Sequence, residues 1–347
     1  MMMTGWHGAG RFLFAEANMD RVFLTPDSQE HWLALREEDL TSTECAALFG
    51  VSPYMTLYEL YLRKTGQLAF EFEENERMKW GTRLESAIAY GVAEDYGLIV
   101  EPFKSYGRIN PLRMGSSFDY KVVGLAPKYV GDETYRDLFR THGPGIMEVK
   151  NVDGLAFRRG WINDEDGMEA PPHIEIQVQH QLQVAGLKWS MIAPLVGGNT
   201  PRPFHRLFDE EMADIILRKV AEFWRMVDER KAPPVDYVKD AQTVARLLGQ
   251  DDGQEVDMTD NARLAELVAT YNKACEEEKE LKKRKDAAKT EALLMIGKAA
   301  KVKVLGNLTL SAKSVRGSEG TLITPELVGT RIGGRSGYRG FRLSGAK

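Results

Sequence analysis

The sequence predicts an α/β fold in which helices flank a sheet, followed by a long helix and a basic tail. Over residues 28–232, segments with a helical spacing of apolar residues alternate with short strands rich in β-branched residues. A charged helical pattern then occupies residues 261–300. Residues 301–347 carry nine Lys or Arg against two Glu, a net charge of +7 in a chain whose total is −5.

The composition is that of a globular protein without a disulfide framework. The 347 residues are 43% hydrophobic and 28% charged, which allows two domains or one large domain with an appendage. The two cysteines, Cys45 and Cys275, lie far apart, which favours a reducing, cytoplasmic setting. Residues 1–20 lack the pattern of a signal peptide, and no apolar run approaches 18 residues, so we expect no membrane segment.

The first third of the chain is predicted to be helical after an irregular segment, residues 1–27. Ser28 can cap the first helix, and further helices follow at residues 41–50, 57–64 and 78–96. On residue type alone, Arg36 is a helix surface residue and Ser42 is a helix cap. Glu85 lies beside the apolar stripe of the long helix, so it is either exposed or turned inward towards a partner.

The middle of the chain contains the strongest chemical signal. Strands are predicted at residues 98–103, 113–123 and 146–150, with a surface excursion at 126–144. Glu148 and Lys150 project from one face of their strand because side chains alternate. If the strand of Asp119 lies alongside, two carboxylates and an ammonium group meet, and such carboxylates suit Mg²⁺. The alternative is a surface hairpin with an ion pair.

Four glutamines crowd the helix predicted at residues 174–185. Gln177 and Gln181 share one face of this helix, and Gln179 and Gln183 share another. A strand at 190–196, an extended segment at 204–208 and a closing helix at 210–231 complete the core domain, residues 28–232. Residues 233–260 are polar and acidic and are predicted to be a linker.

The C-terminal part is predicted to form a long helix and a basic tail. Apolar residues between 264 and 295 alternate at spacings of three and four, which fits a coiled coil, a helical hairpin or a lone charged helix. Residues 303–313 alternate like a β-hairpin around residues 306–307. Residues 331–342 interleave arginine with glycine and aromatic residues, which favours contacts with nucleic acid over the alternative of a merely soluble, disordered tail.

Several motifs, taken together in order, resemble a known family. These motifs are Trp32 to Tyr54 with its Leu-Thr-Ser-Thr-Glu and Gly-Val-Ser-Pro-Tyr runs, Trp80-Gly81 with Glu85, Gly115 to Asp119, Glu148-Val-Lys150 and Gln177-Val-Gln179. Over roughly residues 28–230 the chain resembles the YqaJ-like viral recombinase domain, the family of phage lambda exonuclease within the PD-(D/E)XK nucleases. Phe118 stands where that family usually has proline.

The resemblance implies a restriction-endonuclease-like core with a central mixed β-sheet flanked by helices. It also implies a Mg²⁺-dependent exonuclease, with Mn²⁺ as an alternative ion. Such an enzyme digests linear double-stranded DNA from 5′ to 3′ and leaves 3′ single-stranded overhangs for recombination. By this resemblance Asp119 and Glu148 ligate the metal, Glu85 lies in or near that shell, Lys150 positions or activates the water, and Gln177 contacts the reacting centre.

The resemblance also assigns a DNA phosphate-binding role to four residues, namely Arg36, Ser42, Ser117 and Gln179. The implied partners are double-stranded DNA ends and a single-strand annealing protein, in a bacterial host of a phage or prophage, and we expect a homo-oligomer. Two alternatives remain open at this point. One is a restriction-like or structure-specific endonuclease on the same core, and the other is a DNA-binding recombination accessory protein with a vestigial site.

Overall fold

The structure is a computed structural model, and it describes residues 20–69, 75–127, 133–164, 167–304 and 308–314. The chain divides into two compact units, residues 1–248 and 249–347. The predictions for residues 1–19 and for the tail from residue 315 onwards lie outside the described residues.

The described residues in the first half of unit 1 form four helices and six strands. They are β1 (Arg21–Leu24), α1 (Gln29–Glu38), β2 (Leu40–Thr41), α2 (Ser42–Cys45), α3 (Leu57–Lys64), α4 (Glu76–Asp95), β3 (Leu98–Pro102), β4 (Tyr106–Ile109), β5 (Met114–Ser116) and β6 (Tyr120–Leu125). Short 3₁₀ turns follow α2 at Ala46–Phe49 and β4 at Asn110–Leu112.

The second half of unit 1 completes the sheet and covers it. Its elements are α5 (Thr134–His142), β7 (Gly145–Val152), α6 (Gly154–Gly160), β8 (Ile162–Asp164), β9 (Gly167–Glu169), α7 (Pro172–Ala185), β10 (Trp189–Val196), β11 (Thr200–Pro201), β12 (Phe204–Leu207), α8 (Glu210–Asp228) and α9 (Ala241–Leu248).

The central sheet is mixed. Its strands lie in the order β11-β10-β7-β6-β3, with β12 also paired to β10. Strands β10 and β7 are parallel, whereas β7–β6 and β6–β3 are antiparallel. The parallel pair is joined by a crossover that includes α7, the connection that parallel strands require. A central mixed sheet flanked by helices in an α/β fold is therefore confirmed.

The two faces of the central sheet pack into different hydrophobic clusters. Met147 and Val149 of β7 belong to the cluster that contains residues of α4, whereas Ile146 belongs to the cluster that contains residues of α7 and α8. Because side chains alternate along a strand, Glu148 and Lys150 share the face of Ile146 and point towards α7.

A second, four-stranded sheet has the order β1-β4-β5-β2. Its strands differ from two of the secondary-structure predictions made from the sequence. The segment 1–27, predicted to be irregular, contains β1, which pairs with β4 some 85 residues later. The single strand predicted at residues 113–123 is two strands, β5 and β6, which belong to different sheets. The break between them contains Ser117, Phe118 and Asp119.

Three helices lie where none was predicted, and one of them is α6, in the segment that follows Asn151. The expected surface excursion at residues 126–144 contains α5, because buried Arg136 donates hydrogen bonds to the carbonyls of Gly97 and Ala126. The expected linker at residues 233–260 contains α9. Arg246 and Thr243 of α9 both bind the buried Glu59 carboxylate of α3, which draws α9 onto the core domain.

Unit 2 contains α10 (Ala262–Ile296) and a hairpin of β13 (Lys301–Val304) and β14 (Leu308–Ser311). Both agree with the elements predicted from the sequence. Helix α10 buries none of its residues, and its apolar side chains, such as Leu267 at 49% exposure, face solvent. Across the described ranges, no helix is long and apolar enough to cross a membrane.

Candidate active site

The antiparallel pairing of β6 with β7 brings Asp119 beside the strand that carries Glu148. Tyr120, which follows Asp119, lies opposite Met147. The Asp119 Oδ2 atom accepts a hydrogen bond from the backbone N–H of Val149 at 2.8 Å, and its backbone carbonyl accepts one from Phe103 at 3.0 Å. The predicted meeting of the two strands is therefore observed, and Asp119 is held at both its main chain and its side chain.

Three donors surround the buried carboxylate of Glu148. Its Oε1 accepts from Lys150 Nζ at 2.5 Å and from Gln177 Nε2 at 2.6 Å, and its Oε2 accepts from Gln181 Nε2 at 2.7 Å. The Glu148 residue is only 1% exposed. A buried carboxylate is costly unless it is paired and hydrogen-bonded, and here both oxygens are satisfied.

Helix α7 supplies two side-chain amide groups to the site. Gln177 and Gln181 are one helical turn apart, so both reach Glu148, and Gln177 Oε1 also accepts from Lys150 at 3.4 Å. The structure thus brings the Gln177 side chain to both Glu148 and Lys150. Gln181 was given no role from the sequence, although its shared face with Gln177 was visible there.

The structure corrects the prediction for Gln179. Its side-chain nitrogen donates to the Leu207 carbonyl at 2.9 Å, and its side-chain oxygen accepts from the Asp209 N–H at 2.9 Å. Both ends of the buried amide are therefore bound to backbone at the start of α8. Gln179 lies two positions after Gln177, so its side chain points to the other side of the helix. Its amide therefore binds the protein backbone and not a phosphate.

The carboxylates crowd negative charge into a small volume. Burial raises the pKa of Asp119 well above its ordinary range, and the charge of Glu148 raises it further, while Lys150 opposes this. Burial and then the charge of Glu148 likewise raise the pKa of Glu85, which approaches from α4. The structure therefore brings Glu85, Asp119, Glu148 and Lys150 within electrostatic reach of one another.

Lys150 is the cation of this cluster. Burial alone would lower the pKa of Lys150, but the neighbouring carboxylates of Glu148 and Asp119 raise it above its ordinary value. In this arrangement the ammonium group keeps its proton. It forms an ion pair with Glu148.

The residues present fit a hard divalent cation. Among the described residues, no three His, Cys, Asp or Glu side chains converge to hold a metal alone. Mg²⁺ usually takes one or two carboxylates and fills its other positions with water and substrate phosphate. Asp119 and Glu148 provide such a pair. Of the Asp119 oxygens, only Oδ2 accepts a hydrogen bond from the described part of the chain, so Oδ1 remains for a cation.

A second group of predicted residues meets beside this cluster. The Arg36 guanidinium lies 4.6 Å above the Trp32 ring and donates to Thr43 at 3.3 Å. Trp32 Nε1 in turn donates to Ser117 Oγ at 2.8 Å. Within the described chain, Arg36 forms no ion pair with a carboxylate, so its charge is free for an anion. We refer to Arg36, Trp32, Ser42 and Ser117 as the end pocket.

Ser42 takes a different position from the one expected of a helix cap. Thr41 is the capping residue of α2 and forms a capping box with Glu44. The buried Ser42 hydroxyl instead accepts a hydrogen bond from Ser116 Oγ at 3.0 Å, next to Ser117. The end pocket thus joins α1, α2 and the break between β5 and β6.

Two residues near Lys150 were missed by sequence reasoning. Tyr54 is 73% exposed and meets the His173 ring edge-on at 5.8 Å between centroids. Burial lowers the pKa of His173, and the positive charge of Lys150 lowers it further. The Gly-Val-Ser-Pro-Tyr run that ends in Tyr54 was part of the family resemblance, but nothing in its spacing indicated proximity to Lys150.

Comparison with known sequences identifies a related family over part of the chain. Residues 31–188 match the YqaJ-like viral recombinase domain, so the resemblance predicted from the sequence is confirmed there. The chain is 24% identical over 239 residues to a Bacillus subtilis (strain 168) protein named YqaJ and described as uncharacterized. That match covers 67% of each chain.

Two solved structures are also similar to this chain. One is the alkaline exonuclease LHK-Exo from Laribacter hongkongensis, with 18% identity, 62% of this chain and 99% of that chain covered, and a TM-score of 0.41. The other is a phage-related exonuclease from Haemophilus somnus 129PT, with 15% identity, 59% and 88% coverage, and a TM-score of 0.34.

Proposed function

We propose that this chain, whose residues 31–188 match the YqaJ-like viral recombinase domain, is a Mg²⁺-dependent exonuclease. It degrades linear double-stranded DNA from 5′ to 3′ and leaves 3′ single-stranded overhangs for recombination. The observation that carries the proposal is the convergence of Asp119, directly before β6, with Glu148 and Lys150 of β7. Intact groups at all three positions argue against a vestigial site.

Asp119 and Glu148 would hold the metal, with Glu85 nearby. A bound Mg²⁺ supplies Lewis-acid polarisation of the phosphoryl oxygen and a water of lowered pKa. The chain's own residues do the positioning. The Val149 N–H fixes Asp119, and the amides of Gln177 and Gln181 fix Glu148. Lys150, held protonated by its neighbours, orients the attacking water and balances charge on the phosphate.

The end pocket determines the direction of digestion, because it recognises the 5′ end of the strand. A terminal 5′-phosphate carries more charge than an internal phosphodiester, and Arg36 offers a guanidinium that no described carboxylate neutralises. Its position above Trp32 limits the rotamers it can adopt. Trp32 holds Ser117 two residues before Asp119, so the pocket and the metal ligands share one short segment.

The assembly and partners of the enzyme rest on fewer observations. The exposed apolar residues of α10, which include Leu267 and Leu281, are consistent with the homo-oligomer predicted from the heptad pattern. The single-strand annealing protein remains a prediction from the family resemblance.

The test of this proposal uses a 5′-phosphorylated linear duplex with and without Mg²⁺. We expect progressive release of nucleotides from 5′-labelled ends, no digestion of covalently closed circular DNA, and a 3′ label that stays on a progressively shortened strand. Cleavage of the closed circle would favour the endonuclease alternative. Binding of DNA without any cleavage in Mg²⁺ or Mn²⁺ would favour the accessory protein.

A further inference from the structure

A basic cleft lies next to the candidate active site in unit 1. It has a volume of about 640 Å³ and is formed where β7 ends, with walls from the start of α4, from α6 and from the turn after β10. Its lining includes Arg77, Asn151, Asp153, Arg159 and Gly198. The cleft begins directly after the catalytic strand, because Asn151 follows Lys150.

The positive charge of the cleft is available to a ligand. Arg77 and Arg159 are exposed, and neither forms an ion pair or hydrogen bond with another described residue. Asp153 is the acid in the lining. Its carboxylate accepts hydrogen bonds from the backbone N–H groups of Leu155 and Ala156 at 2.8 and 3.1 Å; these bonds lower its pKa, and the charges of Arg77 and Arg158 lower it further. Gly198, with φ of +81°, has open space where a Cβ atom would be, so that wall leaves room for a polymer backbone.

The cleft and the end pocket lie on opposite sides of the reactive cluster, which consists of Asp119, Glu148 and Lys150. Gln177 contacts Lys150, whereas Gln181, one turn later in α7, contacts Glu148 and the Ser117 carbonyl. Helix α7 therefore runs antiparallel to β7. Moving forwards along β7 from Lys150 leads away from Ser117 and into the cleft.

The cleft is close enough to the reactive cluster for one DNA strand to reach both. A strand rises about 3.3 Å per residue, so Val152 and Asp153 lie roughly 7–10 Å beyond Lys150.

We propose that this cleft binds the phosphodiester backbone of the degraded strand, on the 3′ side of the scissile phosphate, through Arg77 and Arg159. The inference rests on the proposed function, and it adds a second binding site for the strand that is being degraded. One end of the reactive cluster receives the terminal phosphate, and the other receives the continuing backbone.

The experiment compares Arg159→Ala and Arg77→Ala with Arg158→Ala. Arg158 is the adjacent arginine of the same turn of α6, and it does not line the cleft. Binding of a fluorescein-labelled, 5′-phosphorylated 20-base-pair duplex is followed by anisotropy in metal-free buffer at several salt concentrations. Wild-type digestion of the same duplex in Mg²⁺ is measured in parallel, and thermal unfolding confirms that each variant is folded.

We expect each cleft variant to weaken binding about tenfold and to reduce the salt slope by about 0.9, the value for one phosphate contact on duplex DNA. Arg158→Ala should keep the wild-type slope, and Arg159→Lys should recover most of the loss. Equal effects of Arg158→Ala and Arg159→Ala would overturn the cleft assignment even if the wild type digests DNA. A wild type that binds the duplex but does not digest it would overturn the proposed function instead.

Discussion

Gln181 links Glu148 to the end pocket. Its side-chain nitrogen donates to the Glu148 carboxylate at 2.7 Å and to the Ser117 carbonyl at 3.3 Å. One buried amide therefore connects a proposed metal ligand with the segment that would hold the terminal phosphate. This connection gives the first prediction.

Gln181→Ala should lower single-turnover cleavage about 10- to 100-fold, because it removes a hydrogen bond that orients Glu148. The loss should appear as a requirement for higher Mg²⁺ concentration. Gln179→Ala is the matched control, since it removes a buried amide of the same helix that contacts Leu207 and Asp209 instead. It should destabilise the fold by about 1–3 kcal/mol and leave cleavage at a pre-bound end intact. Similar kinetics for the two variants would contradict the role given to Gln181.

Replacement of Arg36 should remove the preference for 5′-phosphorylated ends. A hydrogen bond between charged groups contributes about 1.5–3 kcal/mol, which corresponds to about tenfold or more in discrimination. The measurement is the ratio of cleavage rates for 5′-phosphate and 5′-hydroxyl duplexes with wild type and Arg36→Ala. Arg83→Ala is the control, because Arg83 also lies over a tryptophan, Trp80, at 5.2 Å. An unchanged ratio in Arg36→Ala would return Arg36 to the role of a surface residue.

His180 should make the fold less stable in acid. It is fully buried in α7, and burial lowers its pKa from 6.5 to about 3. Below about pH 6.5 the unfolded chain binds a proton that the folded chain does not. The free energy of unfolding therefore falls as pH decreases from about 6.5 towards 3, by up to about 1.4 kcal/mol per pH unit.

His180→Leu removes this titration while keeping a side chain of similar size. Urea unfolding at pH 7 and pH 5 should show a smaller difference between the two pH values for the variant than for the wild type. The other titrating groups are common to both proteins and cancel in the comparison. The same difference in both proteins would mean that His180 is protonated in the fold.

The basic tail should contribute sequence-independent affinity. Residues 315–347 contain six Lys or Arg and two Glu. If they neutralise DNA phosphates, deleting them should flatten the salt dependence of binding by several units, at about 0.9 for each phosphate on duplex DNA. It should shorten the tracts digested per binding event and leave single-turnover cleavage nearly unchanged. An unchanged salt slope would show that the tail does not touch DNA.

The elements predicted from the sequence were those with a clear local period. The strand of Glu148 and Lys150, the glutamine helix and α10 all carry their apolar pattern within 8 to 35 consecutive residues. The side-chain alternation that puts Glu148 and Lys150 on one face follows from strand geometry alone. That part of the candidate site needed no tertiary information.

The features that were missed depend on distant partners. Helix α9 is held by Glu59, more than 180 residues away in sequence, and β1 by β4. The break at residues 117–119 depends on two sheets that the sequence does not reveal. Gln179 and Gln181 are chemically identical, and only the surrounding backbone decides that one binds Leu207 and the other Glu148.

The most direct test of the account is single-turnover digestion by Asp119→Asn and Glu148→Gln. Both changes keep the size of the side chain and remove a negative charge that would hold the metal. We expect Mg²⁺-dependent release of nucleotides from a 5′-phosphorylated duplex to fall to background in both variants, while anisotropy shows near wild-type DNA affinity. Wild-type release rates in either variant, with its folding confirmed, would contradict the assignment of this cluster as the active site.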